Sequence, residues 1–324
     1  MKKIGAAITT FAAIAMMGSA NAQGYPDHPI YMVVPFAAGG PTDTIARLTA
    51  DAMSKKLGQQ VIVENVTGAG GTIASRRVAD ADPDGYTILI HHVGISTAPA
   101  LYRKLPYDTL KDFKTIGLVS DAPMTVISRT DLPPNNLQEL IAYIKEQKGA
   151  LTFGNAGLGA ASHLCGALFQ SAISAKVTTV PYKGNGPVMT DLIGKQIDLS
   201  CDQSTNTVGP INQKQVKAYT ITSSERIEQL PDLPTSTEGG LPTFQFGVWH
   251  GIYAPAGTPE DVIKRLNEGL QAAIVDPTIT ERFKGMATRV ATAEEATPES
   301  HRAKLESEIN RWGPILKAAG EFAD

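Results

Sequence analysis

Short apolar runs alternate with longer amphipathic stretches from Tyr31 onward, and this alternation constrains the fold more than any other feature of the chain. Residues 31–35 form a continuous apolar run, as in a strand covered on both faces. Over 43–57, Ile45, Leu48, Ala52, Met53 and Leu57 recur at helical spacing, and Gly58 stands where a C-terminal cap is needed. A second strand at 61–63, a helix at 72–79 and a third strand at 86–90 follow, the last running into His91-His92-Val93-Gly94. This βαβαβ order implies a parallel sheet with right-handed crossovers.

Two further strands are expected at 116–119 and 124–128. Asn136 then caps a helix, with Glu139 in capping-box position. A second α/β series places strands at 151–153, 177–180, 197–201 and 217–222, with helices from about 160, 186 and 208. Residues 229–246 read as a loop and 252–255 as a strand. Thr258 is expected to cap a long helix with Pro259 at its first position, and helices at about 277–284 and 298–318 close the chain. Two α/β units plus closing helices that belong to neither alone predict two domains. The first is discontinuous, 23–121 with 250–324, and the second is 122–249; their junctions fall near 120–123 and 246–251.

Two loops ending neighbouring strands point to a ligand site. The first, Phe36-Ala37-Ala38-Gly39-Gly40-Pro41-Thr42-Asp43, has small residues that leave backbone N–H groups uncovered ahead of a helix start. The second is Thr67-Gly68-Ala69-Gly70-Gly71-Thr72. Together they suit an anion read by backbone donors. A third such turn runs through Gly157 and Gly159 to Ala160, Ser162 and His163. It misses the last glycine and the strand-end acid of a dinucleotide fingerprint.

The N-terminus carries Lys2 and Lys3, an apolar stretch over 4–17 and Ala20-Asn21-Ala22, the pattern of a secretory signal cleaved after Ala22. Periplasmic export is the expectation. That segment holds two of the 29 basic and none of the 32 acidic residues, so the remainder carries a net charge of −5. Nucleic acid is thereby disfavoured as a partner. Cys165 and Cys201 are expected to be two buried free thiols, a single bridge being the alternative. No Walker A or Gly-x-Ser-x-Gly sequence occurs, and no histidine or cysteine spacing matches a metal site. No cofactor or metal is expected, and the chain is read as a non-enzyme. The competing class is an exported hydrolase using His163 with a nearby serine. His91 and His92 alternate across their strand, so only one of them can face a cleft. Trp249, Phe36 and Tyr182 are candidate aromatic walls, and His250 follows Trp249.

Val34-Pro35-Phe36-x-x-Gly39-Gly40-x-x-Asp43-x-x-Ala46-Arg47 resembles the opening of the Bug family of periplasmic receptors of tripartite tricarboxylate transporters. The similarity continues through Gly68-Ala69-Gly70-Gly71, Pro83-Asp84-Gly85-Tyr86-Thr87, Val180-Pro181-Tyr182-Lys183-Gly184, Leu230-Pro231-Asp232-Leu233-Pro234-Thr235 and Ala254-Pro255-Ala256-Gly257-Thr258-Pro259. It implies an α/β, two-domain periplasmic-binding-protein fold of type II with the ligand in the interdomain cleft. It further implies capture of a carboxylate by hinge closure and delivery, by a monomer, to the membrane subunits of the transporter. One carboxylate would meet Phe36, Ala38, Gly39, Thr42, Asp43, Gly70, Gly71 and Thr72, with His92 nearby. The far end would be read by Gly157, Ala160, Ser162, His163, Tyr182 and Asp202, with Trp249 at the junction. Histidine and aromatic lining at both ends motivates an aromatic dicarboxylate, terephthalate, as the expected ligand, with an aliphatic di- or tricarboxylate as the alternative.

Overall fold

The computed structural model describes residues 24–319; the predicted leader therefore lies outside the described residues. In chain order the elements are β1 (Ile30–Val34), α1 (Pro41–Leu57), β2 (Val61–Asn65), α2 (Thr72–Ala79), β3 (Thr87–His92), α3 (Gly94–Leu101) and β4 (Phe113–Ser128). There follow α4 (Leu137–Gln147), β5 (Thr152–Asn155), α5 (Ala161–Ile173), β6 (Thr178–Pro181), α6 (Asn185–Ile193), β7 (Leu199–Gln203), α7 (Ser204–Asn212) and β8 (Lys217–Ile221). The chain closes with β9 (Gly247–Pro255), α8 (Glu260–Ile274), α9 (Pro277–Gly285), β10 (Arg289–Val290) and α10 (Pro298–Ala319).

The strands follow one path, β2-β1-β3-β9-β4-β7-β5-β6, with β8 and β10 pairing β4 off that path. β1, β2 and β3 are parallel, as are β5, β6 and β7, while β9 and β4 run antiparallel to their neighbours. The two strands expected at 116–119 and 124–128 are one continuous strand. Pro123 of β4 pairs Gly247 of β9, and the next residue, Met124, pairs Gln203 of β7. β4 therefore changes partners within a single residue step, and the two α/β series meet along it.

Local sequence explains most elements. α1 starts on Pro41, whose ring pre-sets φ for the first turn, carries Asp43 near its positive end and Lys55 and Lys56 near its negative end, and stops on left-handed Gly58. Asn136 accepts from the Glu139 N–H at 2.9 Å, while the Glu139 carboxylate takes the Asn135 N–H at 2.8 Å. Other expectations fail for tertiary reasons. α3 escapes detection because all of it but Pro99 and Ala100 is buried and those two are apolar, so its residues show no polar stripe. α7 starts at Ser204, ahead of the apolar signal at Val208. Thr258 does not cap α8, whose cap is Pro259; the Thr258 hydroxyl is buried without a partner. Trp249 and His250 lie inside β9 instead of in a junction loop.

Cys165 of α5 and Cys201 of β7 form a disulfide, with Cα atoms 6.0 Å apart. This corrects the expectation of two free thiols. Both positions are buried in the same core, as their surroundings suggest, but pairing depends on how α5 crosses the sheet. The bridge closes a loop with a sequence separation of 36. Loss of a cross-link of that span removes about 4 kcal/mol on the chain-entropy account. Reductant is accordingly expected to lower the urea midpoint of the folded chain; an unchanged midpoint with the thiols shown to be free would contradict this.

Candidate functional site

Four helix N-termini meet around one small cavity. α1 contributes Gly40, Pro41 and Thr42; α5 contributes Ala161 and Ser162; α6 contributes Asn185; and Gln203 is the residue before α7. Phe36, His92 and Ala156 complete the lining. Among the described residues no lysine or arginine side chain lines it. First-turn N–H groups have no intrahelical carbonyl to bond, and each helix brings the positive end of its dipole. Such an arrangement attracts an anion without a cationic side chain.

The cavity leaves about 10 Å³, roughly the room of one water molecule. Its walls close by direct contact between the two α/β series. The Ala37 N–H donates to the Lys183 carbonyl at 2.8 Å. The Tyr102 hydroxyl lies 2.7 Å from the Ala69 carbonyl and 3.0 Å from that of Leu158. Admission of a ligand requires these contacts to part.

His92 has a defined hydrogen-bonding sense. Its Nδ1 accepts from the Gly94 N–H at 2.9 Å, so Nε2 carries the proton. Burial pushes its pKa down to about 3, leaving a neutral donor at the cavity wall. The ring stacks on Phe36 with centroids 4.7 Å apart. Behind it, His250 reaches Thr42 Oγ1 with Nε2 at 3.2 Å and Ser120 Oγ with Nδ1 at 3.4 Å. Burial, followed by the repulsion that a protonated His92 would add, holds His250 well below the usual imidazole range. His91 packs its Nε2 beside Gly71, away from the cavity.

Of the residues singled out from sequence, Phe36, Thr42, His92 and Ser162 line the cavity. Asp43 stands behind it. Its carboxylate accepts from the Gly39 N–H at 3.0 Å, from Asn65 Nδ2 at 2.9 Å and from Arg47 through two bonds. Ala38 and Gly39 are exposed on the rim. Gly70 and Gly71 sit in a short turn over Ala69–Gly71 next to Leu158 and His91, and Thr72 Oγ1 donates to Ala69. Gly157 faces Gly70 across the seam, and Ala160 packs with Phe36 and Ala156. His163 Nδ1 accepts from the Gly159 N–H, Tyr182 donates to Asp191, and Trp249 is buried against His301. Asp202 lies one layer behind Asn185.

The other lining residues are Gly40 and Pro41 of the first loop, Ala156 and Ala161 flanking the third turn, Gln203 next to Asp202, and Asn185, which lies outside every stretch singled out from sequence. Asn185 follows Gly184 at the head of α6, and a small–polar pair at a helix start was a readable signal. What the sequence hid is the convergence of these stretches on one cavity, because the meeting of α5, α6 and α7 with α1 depends on the sheet order.

Comparison with known proteins identifies the group to which this architecture belongs. Residues 45–321 match the model of the tripartite tricarboxylate transporter family receptor. The chain belongs to that family. Its receptors are periplasmic solute-binding proteins with the mixed α/β periplasmic-binding-protein fold. BugD, a periplasmic binding protein of known structure, is 49% identical with a TM-score of 0.90, over 93% of this chain and 100% of that one. MatC from Rhodopseudomonas palustris, solved with bound malate, is 38% identical with a TM-score of 0.87, over 90% of this chain and 100% of its own. BugT of Bordetella pertussis is 34% identical, covering 99% of this chain and 98% of its own length.

Proposed function

We propose that this receptor closes two lobes, 23–121 with 250–324 and 122–249, over a small dicarboxylate and delivers it, as a monomer, to the membrane subunits of its transporter. The observation that carries this reading is the meeting of four helix N-termini at a cavity that no lysine or arginine lines, among the described residues. One carboxylate is placed at the head of α1, within reach of Thr42 and the Nε2–H of His92. β4 and β9 are the hinge strands, because they alone run through both series. Closure excludes water, so each donor counts for more than it would in solution.

An aliphatic ligand such as malate or adipate is favoured by the ligands found in related receptors. Malate occupies MatC, and adipate an R. palustris protein 30% identical to this chain. The aromatic alternative, terephthalate, draws support from the Phe36–His92 stack at one end only. Tyr182 packs beside Val188 and Leu192 under its bond to Asp191, and Trp249 is internal, so the far end is not aromatic.

Calorimetric titration with malate, succinate, adipate, citrate and terephthalate tests the reading. His92→Phe keeps the stack and removes the donor, and is expected to weaken the best ligand by about tenfold or more, since a hydrogen bond to a charged group contributes roughly 1.5–3 kcal/mol. Tight binding of a cationic or neutral solute, with none of these anions bound, would overturn the proposal.

A further inference from the structure

Asp202 is a carboxylate in the protein interior that the family of contacts above leaves without a task. Three groups hold it: Asn185 Nδ2 donates to Oδ1, the Gln203 N–H donates to the same oxygen at 2.7 Å, and Asn206 Nδ2 donates to Oδ2 at 2.6 Å. No cationic side chain is among them. Asn185 in turn accepts on Oδ1 from the Ser162 hydroxyl at 2.9 Å, and Ser162 Oγ accepts from the Ala156 N–H at 2.9 Å.

The donor count along this chain has one outcome. A serine hydroxyl owns one proton and two lone pairs. Here the proton goes to Asn185 and one lone pair to Ala156, so what remains for the cavity is an acceptor. Asn185 keeps a spare lone pair on Oδ1. The reverse orientation of the Asn185 amide would set its oxygen against the Asp202 carboxylate, two acceptors face to face, and an ionised Asp202 excludes it. Burial raises the Asp202 pKa to about 6, against the pull of its three donors, so the group is charged at neutral pH. Gln203, the neighbouring lining residue, likewise has a buried Oε1 without a partner.

We infer that Asp202, acting through Asn185, fixes Ser162 as an acceptor toward the ligand, and that the site therefore selects a carboxylate bearing a hydroxyl donor over its deoxy counterpart. Asp202 is thus a positioning residue that sets specificity without touching the ligand. The helix N-termini grip carboxylate oxygens, and the Ser162–Asn185 pair reads the hydroxyl. A ligand lacking that donor leaves two lone pairs dry, which is the kind of mismatch that discriminates strongly. The inference rests on the carboxylate-receptor reading and names the ligand class within it.

The test uses two pairs differing by one hydroxyl: malate with succinate, and citrate with propane-1,2,3-tricarboxylate, titrated at pH 7.5. The unmodified protein is expected to prefer the hydroxylated member of at least one pair by tenfold or more. Asp202→Asn frees the amide and hydroxyl to reorient, so the preference should fall toward unity while the deoxy ligand binds as well as before or better. Ser162→Ala removes the acceptor, should lower affinity for the hydroxylated member only, and serves if Asp202→Asn does not fold. Equal affinities within both pairs, or a preference that survives Asp202→Asn or Ser162→Ala, would overturn the inference and leave the receptor reading intact. Failure of the unmodified protein to bind any of the four anions would overturn the inference, and would overturn the receptor reading as well only if adipate and terephthalate also failed to bind.

Discussion

Gly70→Val is expected to weaken carboxylate binding by a hundredfold or more while the protein remains folded. Gly70 has φ of 60° in the turn over Ala69–Gly71, a conformation that costs a β-branched residue roughly 1–2 kcal/mol. The larger effect is across the seam. A Cβ at this position would lie 1.9 Å from the Leu158 carbonyl oxygen and 2.8 Å from the Tyr102 hydroxyl. The first clash is with backbone of the opposite series and cannot be relieved by a side-chain rotation. The two walls would then be held apart, the Tyr102 bridge lost and the cavity left open to water. Isothermal titration with the best carboxylate should show the loss, and small-angle scattering should show no ligand-induced compaction. Binding within threefold of the unmodified protein would mean that the closed seam is not the binding form.

Asp43→Ala should cost about 1–2 kcal/mol of stability, because it removes a buried carboxylate from the half-buried Asn65 amide, while the exposed Gly39 and Arg47 groups turn to water. The Gly39 N–H, Asn65 Nδ2 and the two Arg47 nitrogens all lose their acceptor at once. Asn65 also donates to the Phe36 carbonyl, so the same carboxylate fixes both ends of the loop that presents Gly40 and Thr42 to the cavity. Affinity is therefore expected to fall together with stability. Chemical denaturation and titration of one variant preparation check both.

The same residue predicts an acid limb. Burial pushes the Asp43 pKa up, but the bonds from Arg47, Gly39 and Asn65, with the Arg47 charge, outweigh it and hold the group below its ordinary value. A depressed folded pKa contributes stability above the unfolded value, which is lost as pH falls through the folded one. Asp202 acts in the opposite sense. Its pKa is raised to about 6, so its contribution is full below the ordinary carboxylate value and disappears as pH rises through 6. Because Asp202 acts alike in both proteins, melts between pH 5 and 3 should show the stability gap between the unmodified protein and Asp43→Ala narrowing as pH falls.

The order of elements, the fold class and one jaw of the site were legible in the sequence. The reason is local: a strand, a loop of small residues and the Pro41-Thr42-Asp43 helix start determine their own geometry within a dozen residues. α3 was illegible because its covering comes from elsewhere, chiefly α10 with α2 and β3, and a helix whose few uncovered residues are apolar carries no polar stripe. The continuity of β4 was equally hidden. Ser120 to Pro123 breaks the apolar run, yet its backbone stays extended because β9 pairs it on one edge.

Three matters were decided by tertiary structure alone. The Cys165–Cys201 bridge depends on α5 crossing β7. The choice between the two histidines follows from the turn after β3, where the Gly94 N–H takes His92 Nδ1 and turns Nε2 to the cavity, while His91 is spent against Gly71. The role of Asp202 is the deepest case. In sequence it is one more acid at a strand end; in the fold it is enclosed by Asn185, Gln203 and Asn206 from two helix starts and its own strand, and it never meets the ligand wall. Backbone conformation is set by neighbours in the chain, and the chain's sequence therefore determined the jaw. Hydrogen-bond polarity is set by neighbours in space, and only the packed sheet could assign it.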